Sequence, residues 1–514
     1  MANRLRKEPQ MNVEVSTCAL SRSATDWDSI QWKTVGKRVK RLQMRIAKAV
    51  QEGRFHKAKS LQWILTHSHA AKLLAVRRVT TNKGKRTPGV DGVVWTTSSQ
   101  KMHAVQYLRR RGYKARPLQR TYIPKKNGKQ RPLSIPVVHD RAMQALHTLG
   151  LQPIAETRGD THSYGFRVGR NCADAIGQCF NCLANPPCAQ WILEGDIKSC
   201  FDKISHRWIL KNIPMDRTML KAWLKAGYLE RRHFFHTTEG TPQGGIISPA
   251  IMNMTLDGLQ EAIERSVPYY LPGTRTSPGV NVIRYADDFI VTGKTRELLE
   301  KNVLPAIKSF LKERGLTLSE EKTRITHIND GFTFLGQHLR KYNGVLIIQP
   351  DKEAIKGVIA KTKTVIKAYR GQPAHAIIKK LNPIITGWVN YHRYISAGKA
   401  FAWVDHCIFR QLWRWAKREH PHKKGRWIRK KYFRASGAYQ WVMSVSYHLK
   451  GGTQRTVELR RASGSPLAHR MKIRSDANPF LPKWQVYFIS RKKDKNTRLK
   501  IRNQPRPNLC KSAV

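Results

Sequence analysis

Acidic side chains are scarce in this sequence of 514 residues, which has 34 Asp and Glu against 95 Lys and Arg and a formal net charge of +61. Self-repulsion of this size disfavours a compact chain unless a polyanion relieves it. Nucleic acid would do so, and its binding should then weaken steeply with salt. An anionic membrane is the rival, but the basic residues are spread along the chain and form no single membrane-facing amphipathic helix. The composition therefore favours a nucleic-acid-binding protein.

Long apolar runs are also missing, since no stretch is long enough to span a bilayer. The first twenty residues mix acids with bases and lack the apolar centre of a signal peptide. From these two absences we expect no membrane partner and a cytoplasmic location. A bacterial origin is the default expectation, and an organellar origin stays open.

Cysteine is rare too, with eight in the whole chain, which does not suggest a disulfide framework. Four of them cluster at Cys172, Cys179, Cys182 and Cys188. This spacing could hold zinc. However, residues 172–180 carry their apolar side chains on one face of a predicted helix, which favours packed free thiols. Zinc remains the alternative for this cluster.

Hydrophobic residues make up 40% of the chain and aromatic residues 9%, enough for sizeable globular cores. Apolar positions at helical spacing run from 42 to 79, and Gly53 is expected to split them into a helical hairpin. A loop rich in glycine and lysine follows at 82–92. Strand and helix patterns alternate from 93 to about 340, and three amphipathic helices follow Pro350. The pattern predicts a mixed α/β (α+β) fold followed by a helical bundle.

Three aspartates occupy conspicuous positions in this acid-poor chain. Asp196 follows a short apolar strand at 191–195, and Asp287 and Asp288 lie between two apolar strands, which predicts a hairpin tip. Transfer of phosphoryl or nucleotidyl groups needs a divalent cation, and Mg²⁺ prefers oxygen ligands. A single aspartate would be an ordinary helix cap or turn residue. Three at strand ends, among many cations that keep them ionised, predict a metal site.

The motifs around these aspartates resemble those of reverse transcriptases. They occur in a fixed order: 196–201 (DIKSCF), 240–249 (GTPQGGIISP) and 285–288 (YADD). Further segments narrow the resemblance to reverse transcriptases encoded by group II introns: 89–92, 131–136, 164–167, 331–336 and 381–392. The last of these is similar to the maturase or thumb domain of that family.

The resemblance implies a right-hand polymerase. Its fingers–palm reverse transcriptase fold would be followed by an α-helical thumb or maturase bundle and a small basic C-terminal region. The implied domains are an N-terminal extension with a helical hairpin and a template-gripping loop (1–92), fingers and palm (93–345), thumb and maturase domain (346–445) and a DNA-binding region (446–514). An intact HNH endonuclease is not expected, because that site needs paired cysteines and the tail offers only Cys510.

The resemblance also implies a metal site. Asp196, Asp287 and Asp288 would be the catalytic residues and would hold two Mg²⁺ ions, with the backbone carbonyl of Ile197 as a further ligand. The implied residues that bind the deoxynucleoside triphosphate are Lys125, Arg131, Ile197, Phe201, Gln243 and Lys322.

Each of these nucleotide-binding residues has an expected role. Lys125 and Arg131 would clamp the triphosphate, although contact with the template backbone is an alternative. The ring of Phe201 would exclude a ribose 2′-OH, unless it only packs in the core. Gln243 would line the pocket beside glycines that let the backbone approach the substrate. Lys322 would protonate pyrophosphate, or it is an ordinary surface lysine.

The function implied is RNA-directed DNA synthesis combined with maturase activity, in which the protein binds its intron RNA to promote splicing. Intron mobility would proceed by target-primed reverse transcription, so the partners are intron RNA as template, a DNA primer or target, and deoxynucleoside triphosphates. The basic segment 414–434, interleaved with aromatic residues, suits phosphate contact and base stacking. Two alternatives stay open: a non-catalytic splicing cofactor, and a domesticated or defence-type reverse transcriptase. The sequence does not fix the oligomeric state.

Overall fold

The structure is a computed structural model that describes residues 26–124, 128, 130–185, 188–437, 439–449, 452–468 and 470–493. Within these residues, no helix combines the length and the apolar character needed to cross a membrane.

The first helices form one unit rather than a simple hairpin. After a short 3₁₀ turn they are α1 (Trp32–Gln51), α2 (Phe55–His67) and α3 (His69–Thr81). Gly53 lies in the α1–α2 turn with φ of +69°, as its predicted role as a helix breaker requires. A second break was not predicted: the Ser68 hydroxyl accepts a hydrogen bond from the Ala71 amide (3.2 Å) and caps α3. The sequence predicted a hairpin of two helices here, whereas the structure has three.

The middle of the chain alternates helices and strands, as predicted. The elements up to residue 235 are α4 (Ser98–Tyr107), β1 (Leu118–Pro124), β2 (Gln130–Ile135), α5 (Val138–Arg158), α6 (Cys172–Leu183), β3 (Trp191–Asp196), α7 (Cys200–Lys203), α8 (His206–Asn212), α9 (Arg217–Leu224), β4 (Tyr228–Glu230) and β5 (His233–Phe235). Those from 248 to 350 are α10 (Ser248–Leu256), α11 (Leu259–Ser266), β6 (Asn281–Tyr285), β7 (Asp288–Gly293), α12 (Arg296–Leu298), a π-helical turn (Leu299–Val303), α13 (Leu304–Lys312), β8 (Arg324–His327), β9 (Phe332–Phe334), β10 (Gln337–Tyr342) and β11 (Val345–Pro350).

Two four-stranded sheets organise this part. The first, called the fingers sheet below, has the strand order β2-β1-β4-β5, and the second, called the palm sheet, has the order β6-β7-β3-β8. In the second sheet β3 is antiparallel to both β7 and β8. Its adjacent residues Ile192 and Leu193 are both fully buried but belong to different hydrophobic clusters. Because neighbouring side chains of a strand point to opposite faces, this sheet is covered on both sides, which explains its uninterrupted apolar strands.

The predicted helical bundle is present after Pro350. Its elements are α14 (Lys352–Ala368), α15 (Ala374–His392), α16 (Gly398–Glu419) and α17 (Gly425–Tyr432), followed by β12 (Phe433–Ser436), β13 (Tyr439–His448) and β14 (Gln454–Glu458). Ile377, Leu381, Phe401 and Leu412 form its buried centre. The small β12-β13-β14 sheet was not predicted.

The domain boundaries inferred from the sequence stay predictions, and strands run across two of them. The boundary between residues 345 and 346 falls inside β11, and the boundary between 445 and 446 falls inside β13.

The end of the described chain returns to the palm. A 3₁₀ turn (Pro482–Trp484) leads into α18 (Gln485–Lys493). Ile473, Phe480 and Trp484 are buried in the same hydrophobic cluster as Ile192 and Ile290 of the palm sheet. The segment predicted to be a DNA-binding region thus also contributes to the palm core.

Candidate active site

The structure brings the three predicted aspartates to one end of the palm sheet. β6 and β7 form the predicted hairpin, and Ala286 and Asp287 make its two-residue turn. Ala286 adopts a left-handed conformation with φ of +62°. Asp288 pairs with Tyr285 on one side and directly with Asp196 of β3 on the other. Directly opposed residues of antiparallel strands have Cβ atoms about 4.5–5.5 Å apart and share a face, so these carboxyl groups are neighbours.

A loop that the sequence did not identify as a support holds this hairpin. The Tyr164 amide donates to the Arg284 carbonyl (2.8 Å), and the Arg284 amide donates to the His162 carbonyl (3.0 Å). A Cβ added at Gly165 would lie 2.9 Å from the Tyr285 carbonyl carbon and 3.0 Å from the Cβ of Ala286. The glycine of the 164–167 motif is therefore needed for close contact between this loop and the hairpin.

A buried ionic network lies behind the same hairpin. The side chain of Arg284 is 1% exposed and forms ion pairs with Asp257 and, at 3.7 Å, with Asp160. Asn253 donates from Nδ2 to the Gly165 carbonyl (2.7 Å) and accepts from Arg284 at its Oδ1 (3.3 Å). Sequence reasoning missed these residues. The only signal for them was an arginine inside an otherwise apolar strand, which must find an anionic partner when buried.

The carboxyl groups of the site repel one another. Burial raises the pKa of Asp287, and the adjacent Asp196 raises it further. Burial, followed by the charges of Asp287 and Asp196, raises the pKa of Asp288 to about 7. Lys322 donates from Nζ to Oδ2 of Asp196 (2.8 Å), and this hydrogen bond raises the pKa of Lys322. A cation is what such a group of carboxyl oxygens requires in order to stay ionised together.

These residues fit a hard cation that takes some of its ligands from the protein and the others from a substrate and water. Across the described residues, no group of three or more His, Cys, Asp or Glu side chains is arranged to hold a metal ion, so the three aspartates do not form such a group here. Mg²⁺ usually takes one or two carboxylates and completes its octahedron with water and substrate phosphates. The carboxyl oxygens of Asp196 and Asp288 offer that partial set. Ile197, the further predicted ligand, is buried and forms an isolated bridge with Leu318.

Two of the predicted nucleotide-binding residues contact each other. Arg131 of β2 donates from Nε to Oε1 of Gln243 (2.8 Å), and Gln243 donates from Nε2 to Oδ2 of Asp202 (2.9 Å). The Ser134 amide also donates to the Gln243 carbonyl (2.7 Å). Asp202, which sequence reasoning missed, thus links α7 to the fingers sheet through Gln243. Lys125 lies outside the described residues.

Phe201 lies under the glycine-rich loop. Its side chain is 8% exposed and belongs to the main hydrophobic cluster, and its carbonyl accepts from the Thr241 amide (2.6 Å). A Cβ at Gly240 would lie 2.6 Å from the carbonyl carbon of Asp202, so the loop crosses α7 in close contact. Phe201 therefore packs in the core at the base of the loop that carries Gln243, which leaves both interpretations of its ring in place.

The thumb reaches the palm through Tyr391. Its hydroxyl donates to the Leu335 carbonyl (2.8 Å), in the turn between β9 and β10. Burial, and then the nearby thiol of Cys172, raise the pKa of both Tyr391 and Tyr285, so this thiol lies between α15 and the aspartate hairpin. Cys179 and Cys182 are buried within α6. These positions agree with the favoured interpretation of the cysteine cluster as packed thiols.

Comparison with protein families matches three consecutive segments of the chain. Residues 27–108 match the N-terminal domain of reverse transcriptase. Residues 123–339 match the reverse transcriptase (RNA-dependent DNA polymerase) model, and residues 355–433 match the group II intron, maturase-specific domain. The second match contains the three aspartates, and the third covers most of the helical bundle.

Individual relatives agree with these matches. Protein YkfC of Escherichia coli K12 is 34% identical over 305 residues, covering 52% of this chain and 79% of that protein. The group II intron-encoded protein LtrA of Lactococcus lactis is 32% identical over 329 residues, covering 52% of this chain and 54% of LtrA. The match thus spans about half the length of LtrA.

A solved structure of telomerase from Candida albicans with a fragment of telomeric RNA is matched with a TM-score of 0.35 and 10% identity, over 62% of this chain and 64% of that one. The family assignment rests on the sequence matches alone. By those matches, this chain belongs to the family of reverse transcriptases with a maturase domain that are encoded by group II introns.

Proposed function

We propose that this chain is an active RNA-directed DNA polymerase that uses two Mg²⁺ ions and also acts as a maturase on its intron RNA. The observation that carries the polymerase proposal is the direct pairing of Asp196 with Asp288, with Asp287 in the adjoining turn. Bound Mg²⁺ would make the primer 3′-OH a better nucleophile and would offset negative charge on the triphosphate and the departing pyrophosphate.

The protein side chains then have separate tasks. Asp196 and Asp288 would hold the cations from neighbouring strands, with Asp287 as a third carboxyl group and the carbonyl of Ile197 as a further ligand. Lys322 now neutralises Asp196. Its side chain is 64% exposed, so its ammonium can reach the leaving pyrophosphate and donate a proton to it.

Nucleotide selection falls to the fingers and to the loop above α7. Arg131 offers a forked donor to the triphosphate, and Lys125 adds a point charge. Gln243 lines the pocket, oriented by its hydrogen bonds with Arg131 and Asp202. Phe201 excludes the 2′-OH of a ribonucleotide, which selects deoxynucleoside triphosphates as substrates.

Maturase activity and intron mobility follow from the second part of the chain. Its maturase-specific match covers 355–433 and contains nearly all of the basic and aromatic segment 414–434. The proposed partners are intron RNA, a DNA primer or target, and deoxynucleoside triphosphates, in a bacterial cytoplasm. A non-catalytic splicing cofactor is disfavoured. Such a protein would not need to keep the three aspartates or the contact between Arg131 and Gln243.

The polymerase proposal is tested by replacing Asp287 and Asp288 together with Asn, which preserves side-chain size. Primer extension on an RNA template should fall roughly a thousandfold or more, since carboxylate ligands are lost. Equilibrium binding of the same RNA should stay within about twofold, because these residues contribute to metal binding rather than to RNA affinity. The matched control is Asp330→Asn, an exposed turn residue. Retained extension in the double variant would show that the metal site is elsewhere.

Splicing provides an independent test of the maturase proposal. The double variant should still promote splicing of the cognate intron RNA at low Mg²⁺ concentration, because the thumb surface is unchanged. If the wild-type protein leaves splicing unaltered while extending primers normally, the maturase proposal fails and the polymerase proposal stands.

A further inference from the structure

A large cavity lies outside the polymerase site. Its volume is about 860 Å³, it is open on one side, and it is lined mainly by α2, α5, residues 108–111 and residues 214–218. None of the residues assigned above to catalysis or nucleotide binding lines it. Pockets for small organic groups typically have volumes of roughly 300–1,000 Å³, so this cavity is large enough for a nucleotide.

The floor of the cavity is apolar with one buried polar group. Met143, Leu146 and Ile154 of α5 are buried there beside His147, which is 8% exposed. The His147 ring packs edge-on against Trp223, with centroids 5.4 Å apart. Burial lowers the pKa of His147 to about 4, so at neutral pH it is an uncharged imidazole that can both donate and accept a hydrogen bond.

One wall of the cavity presents flat aromatic rings. Trp63 of α2 is 61% exposed and stacks on His67, with centroids 4.2 Å apart and an interplanar angle of 24°. Phe55, at the start of the same helix, is 57% exposed. Gln62 fixes this wall by donating from Nε2 to the Pro214 carbonyl (3.0 Å). A large apolar ring held in the open beside a cavity is typical of a site that receives a partner ring.

The rim of the cavity is strongly cationic. One acidic residue lines the cavity, Asp216, and it is already paired with Arg110. The lysine and arginine residues that line it are Lys59, Lys72, Arg109, Arg110, Arg111, Arg158 and Arg217. An apolar floor, a stacking wall and a cationic rim match the parts of a nucleotide, which are a flat base and its phosphates. A second copy of this chain is disfavoured as the occupant, because both surfaces would be positive.

We propose that this cavity binds an unstacked nucleotide from a loop of RNA, with its base against Trp63, a base edge hydrogen-bonded to His147, and its phosphates on the rim. Single-stranded loops are where RNA-binding proteins find bases free to leave the stack, and aromatic rings and arginines are what receive them. This inference rests on the proposed function only in that the protein binds RNA; it does not depend on the polymerase site.

The test compares two RNA hairpins with the full-length protein. Both have the same stem, but one carries a single-stranded adenosine loop with 2-aminopurine and the other is closed by the shortest stable loop. Wild-type protein should prefer the looped RNA. Trp63→Ala should weaken looped-RNA binding about tenfold, since stacking on one aromatic ring is worth about that factor, and should abolish the 2-aminopurine fluorescence change. His147→Phe should also bind the looped RNA more weakly than the wild type, because it removes the hydrogen bond to the base edge.

The matched control is Tyr269→Ala, which removes an aromatic ring that is 75% exposed and lies outside the cavity. It should bind both hairpins as the wild type does. All these variants should extend an oligo(dT) primer on poly(rA) at the wild-type rate, which separates this proposal from the polymerase proposal. Unchanged loop binding by Trp63→Ala would overturn the inference. So would a change in oligomer mass without a change in RNA affinity, or binding of free AMP as tight as that of the looped RNA.

Discussion

Phe201 illustrates how one side chain can have two roles that only a measurement separates. Its ring is buried in the main cluster, and its backbone contacts the loop that carries Gln243. Phe201→Ala should lower selectivity for deoxynucleotides over ribonucleotides about tenfold or more, because removal of the ring opens space for a 2′-OH. It should also destabilise the fold by about 3–5 kcal/mol. Steady-state incorporation of each nucleotide checks selectivity, and thermal unfolding checks the fold.

Phe201→Tyr serves as the control, since it keeps the ring and should keep the selectivity. A variant Phe201→Ala with a lower melting temperature but wild-type sugar selectivity would assign the ring to packing alone.

His147 carries a pH dependence whose sign follows from burial. Its pKa falls from 6.5 to about 4, chiefly because burial disfavours the charged ring; Asp216 opposes this, and His67 and Arg110 add to it. Between pH 6.5 and 4 the unfolded chain therefore binds more protons at this position than the folded one does. The free energy of unfolding should fall as the pH is lowered through that window, by up to about 1.4 kcal/mol per pH unit from this group.

The measurement is chemical unfolding at pH 7, 6, 5 and 4.5 for the wild type and for His147→Gln. The variant should show a shallower loss of stability in this window, whereas His162, whose pKa is also lowered to about 4 by burial, contributes equally to both proteins. Parallel profiles for the two proteins would mean that His147 is accessible to protons in the folded state.

At the scale of elements, the aspartate hairpin depends on the loop beneath it. Gly165→Ala should push residues 164–167 away from Tyr285 and Ala286, because the added Cβ would overlap their backbone. We expect primer extension to fall at least about tenfold, since small displacements of catalytic groups are costly, while RNA binding is retained. The control is Gly36→Ala in α1, where a Cβ meets nothing within 4 Å. Normal extension by Gly165→Ala would show that the hairpin tolerates the shift.

Elements with a strong local pattern were predictable from the sequence. β3 and the β6–β7 hairpin were predicted because their apolar runs end at aspartates, and the bundle helices because their apolar positions repeat at helical spacing. The pairing of Asp196 with Asp288 joins strands about ninety residues apart and was not predicted; the sequence and the family resemblance predicted only that these carboxyl groups share a metal site.

What the sequence did not reveal depends on contacts between distant segments. The capping role of Ser68 could not be inferred from the sequence, because it depends on the break between α2 and α3. The role of Asp202 could not be inferred either, because it depends on the hydrogen bond that Gln243 donates to it from a distant loop. The loop that contains Gly165 supports the hairpin only through backbone contacts, which side-chain patterns do not encode. Local patterns therefore located the candidate site aspartates, and tertiary contacts identified the groups that position them.

At the scale of the whole molecule, the C-terminal segment 470–493 packs against the palm. Asp174 caps α6 by accepting from the Asn171 amide (3.0 Å), and it also accepts from the Ile473 amide (3.0 Å). Its ion pair with Arg491 is buried, with side chains 0% and 5% exposed. Asn478 donates to the hydroxyl of Thr157 on α5 (3.0 Å). Because these contacts satisfy a buried carboxylate of the palm, the C-terminal segment is part of the polymerase fold and not only an appended nucleic-acid-binding module.

A chain that ends at Ala468 tests this directly. Truncation there leaves Asp174 buried without Arg491 and Ile473, and loss of one partner of a buried ion pair costs about 3–5 kcal/mol. The melting temperature should therefore fall, and primer extension should be lost at temperatures where the full chain is active. Asp174→Asn in the truncated chain should recover part of the stability, because it removes the uncompensated charge. The reference is a chain that ends at Lys493, which keeps every described contact. Equal melting of the chains ending at 468 and 493 would instead make the segment an independent module, whose loss affects nucleic-acid binding alone.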